Sequence, residues 1–213
     1  MKAFRNRRKT VLAVIMLLVM GILLCSAGSV YAKSKKKKKK VVVKVTIGHA
    51  TIGEKGKSRG TTPGDQTGKE VCLSGYTYSK GSWSGWTFVA RPNDPAAAKR
   101  IATEAIKGTK NKNIGYGKDE PQLYDVAEEV GFDLSKVATP CCCDCFGFAQ
   151  TCGAAAGLEV WPYDLPYDPA FTVFYDPEYT TKPDNLKVGD ILVTLTNSKR
   201  HVAIVCKVKK VKK

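Results

Sequence analysis

The chain has 213 residues and a formal net charge of +16, with 43% hydrophobic residues, enough for one domain with a real core once its ends are set aside. The charge belongs to those ends: five cations lie within residues 1–32, seven lysines within 33–40 and five from Lys207 on, which leaves residues 41–206 at −1. Basic ends on a near-neutral body bind polyanions without specificity, and they do not mark a body built to read nucleic acid.

Residues 1–32 have the pattern of an export signal. Lys2, Arg5, Arg7, Arg8 and Lys9 form a basic start, residues 11–24 are apolar, and Val30-Tyr31-Ala32 offers a cleavage site. The apolar run is short against the roughly 20 residues of a membrane span, so cleavage is expected and no stable span after it. Export makes anionic wall polymers a better match for the lysine-rich ends than nucleic acid, which is not expected as a partner. The expected organisation is a signal over 1–32, a lysine-rich linker over 33–40, a folded domain over 41–206 and a basic tail over 207–213.

Within the body, the β-branched run 41–47 predicts a first strand, 48–68 a long loop rich in Gly and Thr, and 70–73 a short strand. Trp86, Phe88 and Ala90 alternate as in another strand. A helix is expected from Asn93 or Asp94 as cap, with Pro95 in its first turn, to Gly108; Ala98, Ile101, Ala102, Ala105 and Ile106 form its apolar stripe. A second is expected from about 119–121 to Gly131, with Leu123, Val126, Ala127 and Val130 at helical spacing. A third follows Cys145, with Ala149, Cys152 and Ala156 on one face and Gly157 as its stop. Residues 161–179 read as a loop rich in Pro, Asp and aromatics. Strands over 191–195 and 201–205 end the domain, joined by a turn at Asn197-Ser198. The pattern is α+β, with helices packed on an antiparallel sheet.

The chemistry concentrates in CCCDCFGFAQTC, residues 141–152. A thiol at a helix N-terminus faces the positive end of the helix dipole, which favours the thiolate. Cys145 has that position, and the chain holds only two histidines to partner it. His201 opens an apolar strand beside a polar turn, so Cys145 and His201 form a candidate nucleophile and base for acyl transfer. The other reading is a small buried thiol and a strand-edge histidine. Two-by-two C-x-x-C spacing is absent, so neither a zinc site nor another cofactor is expected. Seven cysteines remain after residue 32, and an odd number leaves at least one unpaired; Cys141, Cys142 and Cys143 can regulate, form disulfides or pack.

These residues resemble a family. Asp144-Cys145-Phe146-Gly147-Phe148 resembles the D-C-S-G-F motif of NlpC-type, papain-like cell-wall peptidases. Leu186-Lys187-Val188-Gly189-Asp190-Ile191-Leu192 is similar to that family's strand entry, and His201-Val202-Ala203-Ile204 to its histidine strand. Gly64-Asp65-Gln66-Thr67-Gly68-Lys69-Glu70-Val71 resembles a segment of a lysin-like branch in Gram-positive bacteria and their phages.

The resemblance implies a papain-like fold and a secreted or wall-associated hydrolase of peptidoglycan. Cys145 would attack a peptide carbonyl of the stem peptide or crossbridge, and His201 would act as general base and then acid. The alternatives are an N-acetylmuramoyl-L-alanine amidase with the same dyad, as in CHAP-type hydrolases, and a non-catalytic cysteine-rich wall binder. Three departures stand out, one being the extra thiols Cys141, Cys142 and Cys143 beside the nucleophile, whose oxidation would trap it as a disulfide and switch the enzyme off. Phe146 replaces the motif's Ser. The polar residue that orients the histidine, expected on the strand after it, has no counterpart; His49, Asp65 and Gln66 are the candidates. Trp83, Trp86, Trp161, Tyr163, Tyr167 and Tyr175 are candidates to line a substrate groove, Trp86 being better read as packed in a strand.

Overall fold

A computed structural model describes residues 41–76, 85–196 and 200–212. The expected signal and linker, Trp83, and the turn at Asn197-Ser198 lie outside them. The α+β expectation is borne out. A six-stranded antiparallel sheet runs in the order β2-β1-β8-β7-β3-β6, from β1 (Val41–Ala50), β2 (Val71–Gly75), β3 (Phe88–Pro92), β6 (Phe171–Phe174), β7 (Ile191–Leu195) and β8 (Arg200–Lys212). A separate parallel pair joins β4 (Ile114–Tyr116) and β5 (Cys141–Cys143). The helices are α1 (Pro95–Gly108), α2 (Leu123–Glu128), α3 (Cys145–Ala154) and the single turn α4 (Pro177–Thr180).

Side chains alternate across a strand, so β8 feeds two cores. Val202, Ile204 and Cys206 join the core built with Ile101 and Ala105 of α1 and Phe148, Ala149 and Cys152 of α3. Ala203 and Val205 face the other way, onto Val45, Ile47, Val89, Leu192 and Leu186. The small side chains of α1 and α3 let both helices lie close on the sheet. Each is started by an aspartate: Asp94 accepts hydrogen bonds from the N–H groups of Ala96 and Ala97, and Asp144 from those of Phe146 and Gly147. Such a cap stabilises a helix by about 1 kcal/mol.

The Gly189-Asp190 pair holds the entry to β7. Gly189 has φ +87°, and a Cβ there would sit 2.3 Å from the carbonyl oxygen of Ala98, so only glycine fits. The fully buried Asp190 carboxylate takes two 2.7 Å hydrogen bonds from Arg91 and one from the Lys187 N–H.

Several elements differ from expectation. The second helix is short at both ends. Residues 121–122 pair with β5 instead, through the Cys142 N–H on the Pro121 carbonyl and a bridge from Gln122 to Cys142. Asp119, expected near its start, accepts from the N–H groups of Gly60 and Thr61 and from the Thr61 hydroxyl. At the other end the Phe132 N–H closes on the Ala127 carbonyl. The expected loop 161–179 contains β6 and α4, since four residues between Pro- and Asp-rich stretches carry too little periodicity to read. The expected basic tail is strand as far as Lys212: residues 207–212 pair with Val41–Thr46, where Val208 is half-buried beside Val43 and Val45. No helix among the described residues is long and apolar enough to cross a membrane.

Candidate active site

Cys145 is the first residue of α3 and lies beside β8. The backbone N–H groups of Val202, Cys145 and Phe146 near its sulfur act to lower the thiol pKa. Burial acts the other way and prevails, pushing the thiol up to about 11, with the Asp144 charge adding to the rise. The helix-dipole expectation of a favoured thiolate is thus overridden: desolvation outweighs the few N–H groups, and the thiol is protonated at rest.

His201 follows the strand-edge Arg200 and is 9% exposed. Its Nε2 lies 2.8 Å from Nδ1 of His49, whose Nε2 lies 2.9 Å from the Ser74 hydroxyl. The register explains this chain. His49 of β1 pairs with Cys72 of β2, so Ser74, two residues on, is its diagonal neighbour on the same face. Trp86 stacks on His201 at 6.1 Å between ring centroids. Burial, and then the neighbouring imidazole, pulls His201 down to about 3; burial alone pulls His49 down to about 4. Both rings are neutral at pH 7.

Of the three candidates for an orienting residue, only His49 meets His201. Asp65 accepts from the N–H groups of Gly68 and Glu70 and pairs with Lys112. Gln66 donates to the carbonyls of Pro63 and Gly64. Gln66 is used inside its own loop, and Asp65 by that loop and Lys112. The buried Glu70 takes the N–H of Gln66 and that of Tyr116, tying this loop to β4.

Cys145 lines an open cleft of about 530 Å³, with Tyr116, Lys118, Gln122, Phe146, Trp161, Tyr163 and Arg200 among its walls. The Phe146 ring contacts Trp161 and Tyr163 edge-on, at 6.4 and 5.8 Å. A second cleft of about 450 Å³, with Glu159 and Asp164 in its lining, shares Gln150 and Trp161 with the first. Of the expected groove aromatics, Trp161 and Tyr163 are in place; Tyr175 packs against Phe88 and Tyr167 is 85% exposed. Ser74, Tyr116, Lys118 and Gln122 carry no sequence signal that would place them here. Arg200 could have been flagged by its position before the histidine.

The neighbouring thiols are packed. Cys141, Cys142 and Cys143 are at most 1% exposed, and the described cysteines are free thiols. The sulfurs of Cys141 and Cys143 face the carbonyls of Asn113 and Gly115, and that of Cys142 faces Thr61 on the other side of β5. Among the described residues, no group of three His, Cys, Asp or Glu converges as metal ligands would.

An α+β fold that sets a helix-start thiol, at the wall of an open cleft, beside a strand whose histidine is hydrogen-bonded to a second histidine on the neighbouring strand is the framework of a hydrolase candidate. Residues 47–211 match the model of the endolysin-like domain family, and the chain belongs to that family. No curated protein and no solved structure matches it. Family membership sets the coarse function: a lytic cell-wall hydrolase whose substrate is peptidoglycan, acting at the wall or outside the cell.

Proposed function

We propose that the chain is an exported, papain-like cysteine peptidase of the NlpC type that cleaves a peptide bond of the peptidoglycan stem peptide or crossbridge. Cys145 is its nucleophile, His201 its general base and acid, and His49 the residue that orients His201. The lysine-rich ends hold anionic wall polymers. The observation that carries the mechanism is the line Ser74–His49–His201, ending on β8, the strand on which the helix that begins at Cys145 packs.

The resemblance puts the orienting residue on the strand after the histidine. Among the described residues no strand follows β8, and β1, hydrogen-bonded beside it, supplies His49 instead. If Nε2–H of His49 donates to Ser74, its Nδ1 accepts from Nε2–H of His201, and Nδ1 of His201 is the ring nitrogen that carries no proton. That nitrogen takes the thiol proton as sulfur attacks the carbonyl carbon. The resulting imidazolium gives this proton to the departing amine as the C–N bond breaks. Water then hydrolyses the thioester, activated by the same imidazole, and releases the acid and the free thiol. Because thiol and imidazole are both neutral at rest, the proton moves during attack rather than before it. The Cys145 N–H, at the start of α3, stabilises the oxyanion.

Purified wall digested by wild type and by Cys145→Ala tests this. Wild type is expected to release new amino groups on amino acids of the stem or crossbridge, and Cys145→Ala to release none. Stem peptides freed from muramic acid would make the enzyme an amidase, and equal solubilisation by both proteins would exclude a thiol mechanism. His49→Ala is expected to lower kcat by roughly 10²-fold or more with KM little changed, since general base action contributes about 10²–10⁴-fold. His49→Asn, which keeps a hydrogen-bond partner for His201, should recover part of the loss.

A further inference from the structure

We infer that Arg200 is a specificity residue that binds a free carboxylate of the substrate next to the scissile carbonyl. This deepens the peptidase assignment and rests on Cys145 being the nucleophile. Arg200 lies immediately before His201 in β8, and its side chain lines the cleft that Cys145 lines. Its guanidinium carbon sits 5.8 Å from the centroid of the Tyr163 ring, so an aromatic face holds the planar fork in place.

The other charges of the cleft are accounted for. Lys118 lies 3.6 Å from the Asp144 carboxylate. The other oxygen of Asp144 caps α3 through Phe146 and Gly147. Among the described residues no carboxylate lies within ion-pairing distance of Arg200. An exposed cation with no carboxylate partner among the described residues, against an aromatic ring in the cleft that Cys145 lines, is matched by an anion brought in with the substrate. The fork geometry selects a carboxylate, which it can bind through two parallel hydrogen bonds. Wall peptides present carboxylates along their backbone, whereas the uncharged amide form of the same residue cannot accept from the guanidinium as an anion.

The substrate class is therefore a wall peptide whose residue at the scissile carbonyl carries a free carboxylate rather than a carboxamide. The test uses two synthetic stem peptides that differ only there. Wild type is expected to cleave the acid with a kcat/KM on the order of ten- to a hundredfold above the amide, the range for a lost charged hydrogen bond. In Arg200→Gln the acid-to-amide ratio should fall to about one, through KM on the acid, and Arg200→Lys should keep part of the preference. Equal cleavage of both peptides by wild type overturns the inference without any variant, as does a preference retained in Arg200→Gln. Cleavage by Cys145→Ala at the wild-type rate would instead overturn the nucleophile assignment, so the two failures are separable.

Discussion

His49, half-buried, and His201, buried, are two imidazoles in contact, and that contact has a cost at low pH. Their pKa values stand at about 4 and about 3, below the 6.5 of an exposed histidine. Between those limits the unfolded chain binds protons that the folded rings refuse. Stability from this pair is therefore fully present above pH 6.5, declines as pH falls below it, and is fully lost once pH has fallen through about 4 for His49 and about 3 for His201. The urea midpoint of the wild type should drop between pH 7.5 and pH 4.5. In His49→Gln, which removes one titrating ring and eases protonation of the other, the drop should be smaller. A midpoint loss of the same size in both proteins would show that other groups dominate the acid response.

At the scale of elements, α3 and β8 set the site, and the Gly189-Asp190 turn holds β7 against β8. The Gly189 N–H donates to the Val205 carbonyl, and the Val205 N–H returns to that of Asp190. Removing one partner of a buried ion pair costs about 3–5 kcal/mol, because the other charge is left without compensation. Asp190→Ala should lower unfolding free energy by about that much, leaving Arg91 with nothing but the Asn185 carbonyl and the neighbouring aromatic rings. Denaturant unfolding measures it, and a change under about 1 kcal/mol would mean that Arg91 finds another partner. β5 belongs to the same scale: three consecutive cysteines form a strand whose alternation separates Cys142 from Cys141 and Cys143.

For the whole molecule, the placement of charge matters more than its sum. The ribbon formed by the start of β1 and the end of β8 sets Lys44 directly opposite Lys209, with Lys207 on the same face. Like charges opposite one another destabilise a strand pair, and a bound polyanion would relieve that repulsion. Replacing Lys207, Lys209, Lys210 and Lys212 by Gln keeps the backbone pairing while removing the charge. The variant should be retained less well on walls that carry anionic polymers, with a flatter salt dependence, and should match the wild type on walls stripped of them. A cosedimentation series in rising salt measures this; identical curves would remove the ends from wall attachment.

Most helices and long strands were legible because each carried its signal locally. Asp94 and Pro95 start α1, Asp144 starts α3, and the β-branched runs at 41–47 and 191–195 are strands. The short elements were not: β4, β5, β6 and α4 exist because neighbours supply their hydrogen bonds, and three or four residues hold too little periodicity to announce them. The site divides in the same way. Cys145 and His201 stand out in the sequence by residue type, spacing and motif. That His49, and neither Asp65 nor Gln66, meets His201 depends on β1 lying beside β8 across 152 residues of chain. The thiol's protonation was decided by burial over the helix dipole, and burial follows from how α3 packs on the sheet. The sequence by itself determined the chemical groups and the class of fold; the tertiary structure decided which groups meet and in what charge state, because proximity and desolvation arise only when distant segments pack.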